Sequence, residues 1–571
     1  MTSKKKILSL LLVFVMVLIT ACGGGGEKNG TDGGNVNNPD STESANGNAN
    51  AEGQYYNTLL NAEPNTFDAQ KGSDLYGNTI INNINEPLLR MGEKEDGTNE
   101  ILPAAAEKYE VSEDGLVYTF HLREGLKWED GQPLTAKDYE YGIKRSVDPA
   151  TGSESAFLLD PIKNFAKLNG AEGEVNMDEL GVKAIDEKTL EVTLENPAAY
   201  FPTLVPFRVM LPCRQDLVEK YAEKYGAEAD TVLSCGPFKV SEWTHNSRIT
   251  LVKNEEYWDK DSVKLETVNL PIMTDTNTVM NSFQVGEVDA VRTNLAEWVS
   301  KFKEMEGVEN KEIQIPSVNY LAVNHSDEYL KNDKIRLAIS LAIDKQGLAD
   351  LIAKGIQKPA TGWVPGGMEL DGTDFRKDAG DTYAKLREEN KDLKALFIEG
   401  LKEIGKGEDP AQADITLIYT NTPIVKQNCE FIQQSLNSTL GTNIKLETME
   451  WPILSGRIQK ADYQLGYLAW TADYNDPSAM LTLFMSTANA VNTKWKDEKY
   501  DELIRDAIKA EDPKDSLEKY KEAEQMISDQ TVVIPLTHTG SLQFYYDYIK
   551  GIAFNDFTTT GFKTIDTSGR K

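Results

Sequence analysis

Residues 414–470 read DITLIYTNTPIVKQNCEFIQQSLNSTLGTNIKLETMEWPILSGRIQKADYQLGYLAW. Three short apolar runs, DITLIYT, IKLETMEW and YQLGYLAW, have the length and the β-branched and aromatic content of strands. Between them, IVKQNCEFIQQSL and ILSGRIQK have helical periodicity. In the first, Val425, Cys429, Ile432 and Leu436 fall on one face, which makes Cys429 a buried, inert thiol. Strand–helix alternation of this kind predicts an α/β domain built on a largely parallel sheet. Ligands of such sheets bind beyond the carboxyl ends of the strands. Immediately after the last strand comes LAWTADYNDP, residues 468–477, with Trp470, Asp473, Tyr474, Asn475 and Asp476 in close succession. Asp, Asn and Pro suit a turn; the same residues would also serve as a ligand clamp, or as a pair of catalytic carboxylates.

Outward from this stretch the α/β pattern continues. VYTFHL and TLEVTLEN alternate as strands do, and Asn332 or Asp333 caps a helix with Ile335, Ala338, Ile339, Ala342 and Ile343 on its apolar face. Two further helices between Tyr500 and Ile527 precede the β-rich run TVVIPLTH. The chain has 571 residues, too many for one core, so several domains are expected. Its formal charge of -31 argues against nucleic acid as a partner and against a broad basic membrane-binding face. His121, His245, His325 and His538 show no metal-ligand spacing, and there is no nucleophile elbow or phosphate-cradling glycine loop. No metal, no cofactor and no enzymatic activity is expected.

The N-terminus specifies location. Lys4, Lys5 and Lys6 precede the apolar run ILSLLLVFVMVLI, followed by Thr20-Ala21-Cys22. The run is shorter than the roughly 20 residues of a spanning helix, and a basic start, apolar core and small residue before the cut make residues 1–21 a signal peptide. The word ITAC resembles the bacterial lipobox, which implies acylation of Cys22. Residues 22–53, rich in Gly, Asn, Ser, Asp and Glu, read as a flexible tether. The expectation is a lipid-anchored protein on the extracytoplasmic face of the cell membrane, of the Gram-positive cell-surface type. No later segment has the length and apolarity of a transmembrane helix. Cys213 and Cys235 bracket DLVEKYAEKYGAEAD and would be able to pair in an oxidising compartment, a bond worth about 3 kcal/mol.

One long stretch carries a family resemblance. AAAEKYEVSEDGLVYTFHLREGLKWEDGQPLTAKDYEYGIKRSVDP, residues 104–149, closely resembles the signature of the family 5 bacterial extracellular solute-binding proteins, the peptide-binding components of ABC importers. NAEPNTFDAQ, NNINEPLLRM, CGPFKVSEWTHNSRITLVKNEEYWD and RLAISLAIDKQGL resemble further family words, so the likeness runs from about residue 54 to 571. Much of the signature is scaffold: Gly115, Gly125 and Gly131 suit turns, and Thr135 to Asp138 resembles a helix start.

The resemblance implies a two-lobed periplasmic-binding-protein-like α/β fold (class II, cluster C type) with an extra domain inserted in the first lobe, closing on its ligand by hinge motion. The implied division is a discontinuous domain of residues 54–90, 205–316 and 533–571, an insertion of 91–204, and a second lobe of 317–532. LAWTADYNDP resembles the family word whose Asp pairs with the α-ammonium of the peptide, here Asp473. The same likeness gives Trp470, Thr471, Tyr474 and Trp451 as pocket residues and places Ser73 and Leu75 on a strand edge that pairs with the peptide backbone. It also makes Asn294 a polar lining residue, Tyr320 a hinge-strand contact and Arg457 a group for the ligand carboxylate. The sequence departs from some members in lacking cysteines at Ser317 and Thr471, and in carrying Ile458 and Tyr467 where arginines meet the ligand carboxylate. The implied function is oligopeptide binding by a monomer that delivers its ligand to the permease subunits of an ABC transporter. Rival readings are a receptor for a dipeptide, nickel complex, haem or sugar, a hydrolase using Asp473 and Asp476, and a pheromone sensor.

Overall fold

The computed structural model describes residues 53–570 except 73, 95–98, 172–174, 354–355, 371, 489–490, 511 and 553–560. The signal segment, Cys22 and the tether up to residue 52 lie outside the described residues, as does Ser73. From the 414–470 stretch come the strands Thr416–Thr420, Lys445–Met449 and Leu465–Thr471, separated by the helices Pro423–Leu440 and Trp451–Lys460. The first strand lies parallel between the other two.

The sheet is less parallel than expected, because two long strands complete it in the opposite sense. Val308–Val323 pairs antiparallel with both Leu465–Thr471 and Val533–Tyr546. Val533–Tyr546 continues to an antiparallel partner, Ala290–Thr293, and also takes the short Lys358–Pro359 strand. These two strands are long enough to belong to both lobes at once. From Val318 to Val323 the apolar side chains alternate between two cores. Val318, Tyr320 and Ala322 enter one core with Trp363, Tyr500 and Tyr520, while Leu321 and Val323 enter the other with Ile335, Ile339 and Cys429. A sheet covered on both faces needs apolar residues at successive positions, which is why YQLGYLAW is nearly continuous in its hydrophobicity.

The first lobe is built on two four-stranded sheets. One orders Gln54–Asn57, Leu265–Pro271, Arg248–Lys253 and Phe238–Thr244; the other orders Ala106–Val111, Val117–Leu122, Thr189–Thr193 and Val182–Ala184. The signature stretch supplies the first two strands of the second. Its Phe120, Trp128 and Tyr139 are fully enclosed, and Gly115, Gly125 and Gly131 take the left-handed φ values of +69°, +75° and +82° their turns require. Asp138 accepts from the Thr135 N–H at 2.7 Å, starting the helix Ala136–Val147.

Cys213 and Cys235 are both free thiols, so the pairing their positions left open is not made. Each is buried among different neighbours. Cys213 Sγ approaches the Tyr225 hydroxyl at 3.7 Å, whereas Cys235 Sγ accepts from the Glu86 N–H at 3.4 Å. Burial pushes the Cys213 thiol up to about 12, so it stays protonated and unreactive. Cys429 is buried on its helix face, as its spacing implied. Among the described residues no helix is long and apolar enough to cross a membrane.

Candidate ligand-binding site

LAWTADYNDP begins as strand and ends as turn. Trp470 and Thr471 close the strand opposite Val318 and Ser317, and the Ala472 N–H bonds the Pro316 carbonyl at 2.8 Å. The turn that follows is stapled from inside. Asp476 Oδ1 accepts from the Ser478 N–H at 2.8 Å and from its hydroxyl at 2.6 Å, and Asn475 Oδ1 accepts from the Glu369 N–H at 2.8 Å. Asp476 and Asn475 are therefore buried and spent on the loop. Burial raises the Asp476 carboxyl to about 6, with the Ser478 bonds opposing.

Asp473 is different. It remains open to solvent, yet desolvation by the surrounding protein lifts its carboxyl above the usual carboxylate range. The Arg208 guanidinium pulls it the other way. Arg208 stands in the first lobe, where its Nη2 is held by the Ser155 hydroxyl and its Nε is buried without a partner. Burial pushes the guanidinium down, while Asp74, Asp473 and Glu154 act against that. Next to Asp473, the Tyr474 ring stacks on Tyr200 with centroids 5.1 Å apart and an interplanar angle of 13°. Tyr474 thus packs against the cores of both lobes. The site is a cleft with a carboxylate and an aromatic wall on one side and a guanidinium on the other.

The remaining expectations divide. Trp451 opens the helix that follows strand Lys445–Met449 and is 57% exposed; Ile424 and Ile453, at 59% and 57%, stand at the same carboxyl-end edge of the parallel strands. This is an apolar rim to which sequence reading contributed only Trp451. Trp470 is half-buried with its Nε1 unpartnered. Thr471 is exposed, and Asn294 is half-buried between strand Ala290–Thr293 and helix Ala296–Lys303.

Three assignments are corrected. Leu75 does not lie on a strand edge. Asp74 accepts from the Gly77 N–H at 2.7 Å and starts the helix Leu75–Ile84, leaving Leu75 66% exposed at its first turn. Tyr320 is a core residue, 1% exposed, with its ring edge-on to Trp363 at 4.9 Å. Arg457 is occupied on its own lobe, donating to Glu447 Oε1 at 2.9 Å and to the Asp462 carbonyl at 2.8 Å. Tyr200 and Arg208 escaped sequence analysis because no local pattern marks them; only the fold brings them to Asp473. A separate cavity of about 540 Å³ lies between Asp160, Phe165 and Tyr200 of the first lobe and Arg505, Ile508 and Lys509 of the second. It includes neither Asp473 nor Trp470. Among the described residues no cluster of three or more His, Cys, Asp or Glu is placed to hold a metal ion.

Two lobes joined by paired long strands, with a charged aromatic cleft at the carboxyl ends of the parallel strands, define a solute-binding protein of the periplasmic type. The model of the family 5 bacterial extracellular solute-binding proteins matches residues 100–492, and the chain belongs to that family. It is 35% identical over 492 residues to the dipeptide-binding protein DppE of Bacillus subtilis, covering 86% of this chain and 88% of that one. To the oligopeptide-binding protein OppA of the same organism it is 30% identical, covering 97% of each. Among solved structures, Listeria monocytogenes OppA bound to peptide aligns with a TM-score of 0.69 at 31% identity, over 91% of this chain and 100% of that one.

Proposed function

We propose that the protein is an extracytoplasmic receptor that binds peptides between its lobes and delivers them to an ABC transporter. The observation that carries this is Asp473: a solvent-facing, partly desolvated carboxylate at a strand's carboxyl end, in a family whose relatives are named for oligopeptides and dipeptides. Such a carboxylate gives a ligand ammonium a charge-assisted contact stronger than one made in water. On this reading Trp470, Thr471, Tyr474 and Trp451 of the second lobe and Asn294 of the first contribute to the pocket, a role supported by the family likeness. The burial of Asp476 in the Ser478 cap weighs against the hydrolase reading, which needs a second accessible carboxylate.

The division into residues 54–90, 205–316 and 533–571, 91–204, and 317–532 is supported by the separate sheets and by the long shared strands. Acylation of Cys22, attachment to the membrane through it, a Gram-positive type surface and a monomeric state complete the proposal, resting on the sequence of the N-terminus and on family likeness. A dipeptide is the competing ligand length, favoured by the likeness to DppE.

Native mass spectrometry of the purified protein identifies any co-purified ligand, and calorimetry then compares free and N-acetylated peptides of two to six residues. Tight binding of free peptides and weak binding of acetylated ones is expected. Equal affinity for both would remove Asp473 from the amine site, and no binding of any peptide would overturn the substrate class.

A further inference from the structure

The residues 473, 474 and 475 follow one another, yet each faces a different task. Asp473 opens to the cleft, Tyr474 stacks across to Tyr200, and Asn475 is bound to Glu369. Glu369 lies in a small hairpin, Glu369–Leu370 against Thr373–Asp374, within the second lobe. Its N–H donates to Asn475 Oδ1 at 2.8 Å, and its Oε2 accepts from Asn475 Nδ2 at 3.3 Å. The same carboxylate reaches across to the first lobe. Both its oxygens accept from the Asn99 N–H, at 3.1 Å each, and Oε1 also accepts from Asn99 Nδ2 at 3.4 Å. Asn99 starts the strand Asn99–Pro103, which among the described residues pairs on one side only, with Leu89–Glu93. Its outward N–H is an edge donor that the hairpin itself leaves unused.

From this geometry we propose that Glu369 is a positioning residue that clasps the lobes together through the ligand loop, tying Asn99 of the first lobe to Asn475 beside the Asp473 amine site. The proposal rests on the reading of Asp473 as that site. The clasp is made of charge-assisted hydrogen bonds, stronger than neutral ones. It forms only when the first lobe brings its edge donor to the carboxylate. Burial raises the Glu369 carboxyl, with the Asn99 and Asn475 bonds opposing, so the group gains from water when the lobes part and from Asn99 when they meet. That balance suits a contact made and broken in each transport cycle. Two consecutive residues of one loop, Tyr474 by stacking and Asn475 through Glu369, thus hold the partner lobe, while their neighbour holds the ligand. Occupancy of the amine site and persistence of the lobe contact become one equilibrium.

The test is kinetic. Binding of a free-amine peptide is followed by stopped-flow fluorescence for the wild-type protein, Glu369→Ala, Glu369→Gln, Asn99→Pro and the double variant Glu369→Ala with Asn99→Pro; the proline deletes the donor from the other lobe at a strand start where it is tolerated. Loss of a charge-assisted bond predicts release about tenfold faster in Glu369→Ala and Asn99→Pro, with association changed less than about twofold. Glu369→Gln, which keeps one acceptor oxygen, falls between. The double variant releases no faster than either single one, because both remove the same contact. Small-angle scattering without peptide reads the clasp directly: Glu369→Ala and Asn99→Pro each show a larger radius of gyration than the wild type. Unchanged release in Glu369→Ala, additive effects in the double variant, or an unchanged radius of gyration overturns the clasp. If Glu369→Ala does not fold, Asn99→Pro reports on the same bond. A wild-type protein that binds no peptide, while the scattering difference persists, would refute the ligand assignment and leave a lobe clasp of another purpose.

Discussion

On the proposed reading, a single side chain, Asp473, takes the ligand amine. Asp473 is the open carboxylate of its loop; its neighbour Asp476 is enclosed. Asp473→Asn removes the charge while keeping the shape. Breaking one partner from a desolvated ion pair costs about 3–5 kcal/mol, so affinity for free-amine peptides should fall by roughly two to four orders of magnitude. Calorimetry should show N-acetylated peptides binding the variant and the wild type alike. A second residue sets a pH response. His538, on the shared strand Val533–Tyr546, is buried with Nε2 on the Gly362 carbonyl at 3.1 Å, and burial, reinforced by Arg376, pushes it down to about 3. The unfolded chain therefore takes up the proton first, near pH 6.5. The stability due to neutral His538 is complete above that pH and declines on acidification toward pH 3. Urea titrations at pH 7 and 5 should show wild type losing about 2 kcal/mol more than His538→Gln. Asp476, raised to about 6, acts in the opposite direction but is common to both proteins and cancels in the difference.

At the level of elements, helix starts were the most legible feature and strand edges the least. The alternatives Asn332 and Asp333 resolve to Asn332: its Oδ1 accepts from the Ile335 N–H at 3.1 Å and opens the helix Asp333–Ala342. Asn332→Ala should cost about 1 kcal/mol, measured as a shift of the urea midpoint at constant slope. A cap is legible because it acts over three residues. Leu75 failed as a strand because Asp74 caps a helix whose Ile80, Ile81 and Ile84 are buried, a local pattern that the family likeness had hidden. Trp451 belongs to the following helix rather than to strand IKLETMEW, since Pro452 suits a helix's first turn and ends the strand before it.

At the scale of the molecule, the second lobe carries a buried ion pair. Arg376 donates to Glu524 at 2.6 and 2.7 Å, and Glu524 also accepts from the Val364 N–H at 2.8 Å. Arg376→Ala leaves Glu524 charged and enclosed, so thermal and urea unfolding should report a loss of about 3–5 kcal/mol. The contacts between the lobes join segments far apart in the chain. The Asn99 to Glu369 bond spans 270 positions and the Tyr200 to Tyr474 stack joins two separate cores. Neither is written in any local periodicity.

The sequence alone determined what depends on neighbours in the chain: the α/β alternation of residues 414–470, the turn-forming glycines of the signature and the caps. These follow from periods of two and 3.6 residues and from turn chemistry, which act over a few positions. Only the tertiary structure decided which side chains share the cleft. It placed Arg208 and Tyr200 against Asp473 and Tyr474, withdrew Tyr320 into the core, tied Arg457 to Glu447, kept Cys213 and Cys235 apart, and set Glu369 between the lobes. Those outcomes depend on how two lobes pack across shared strands, and that long-range geometry is fixed by burial of the whole chain.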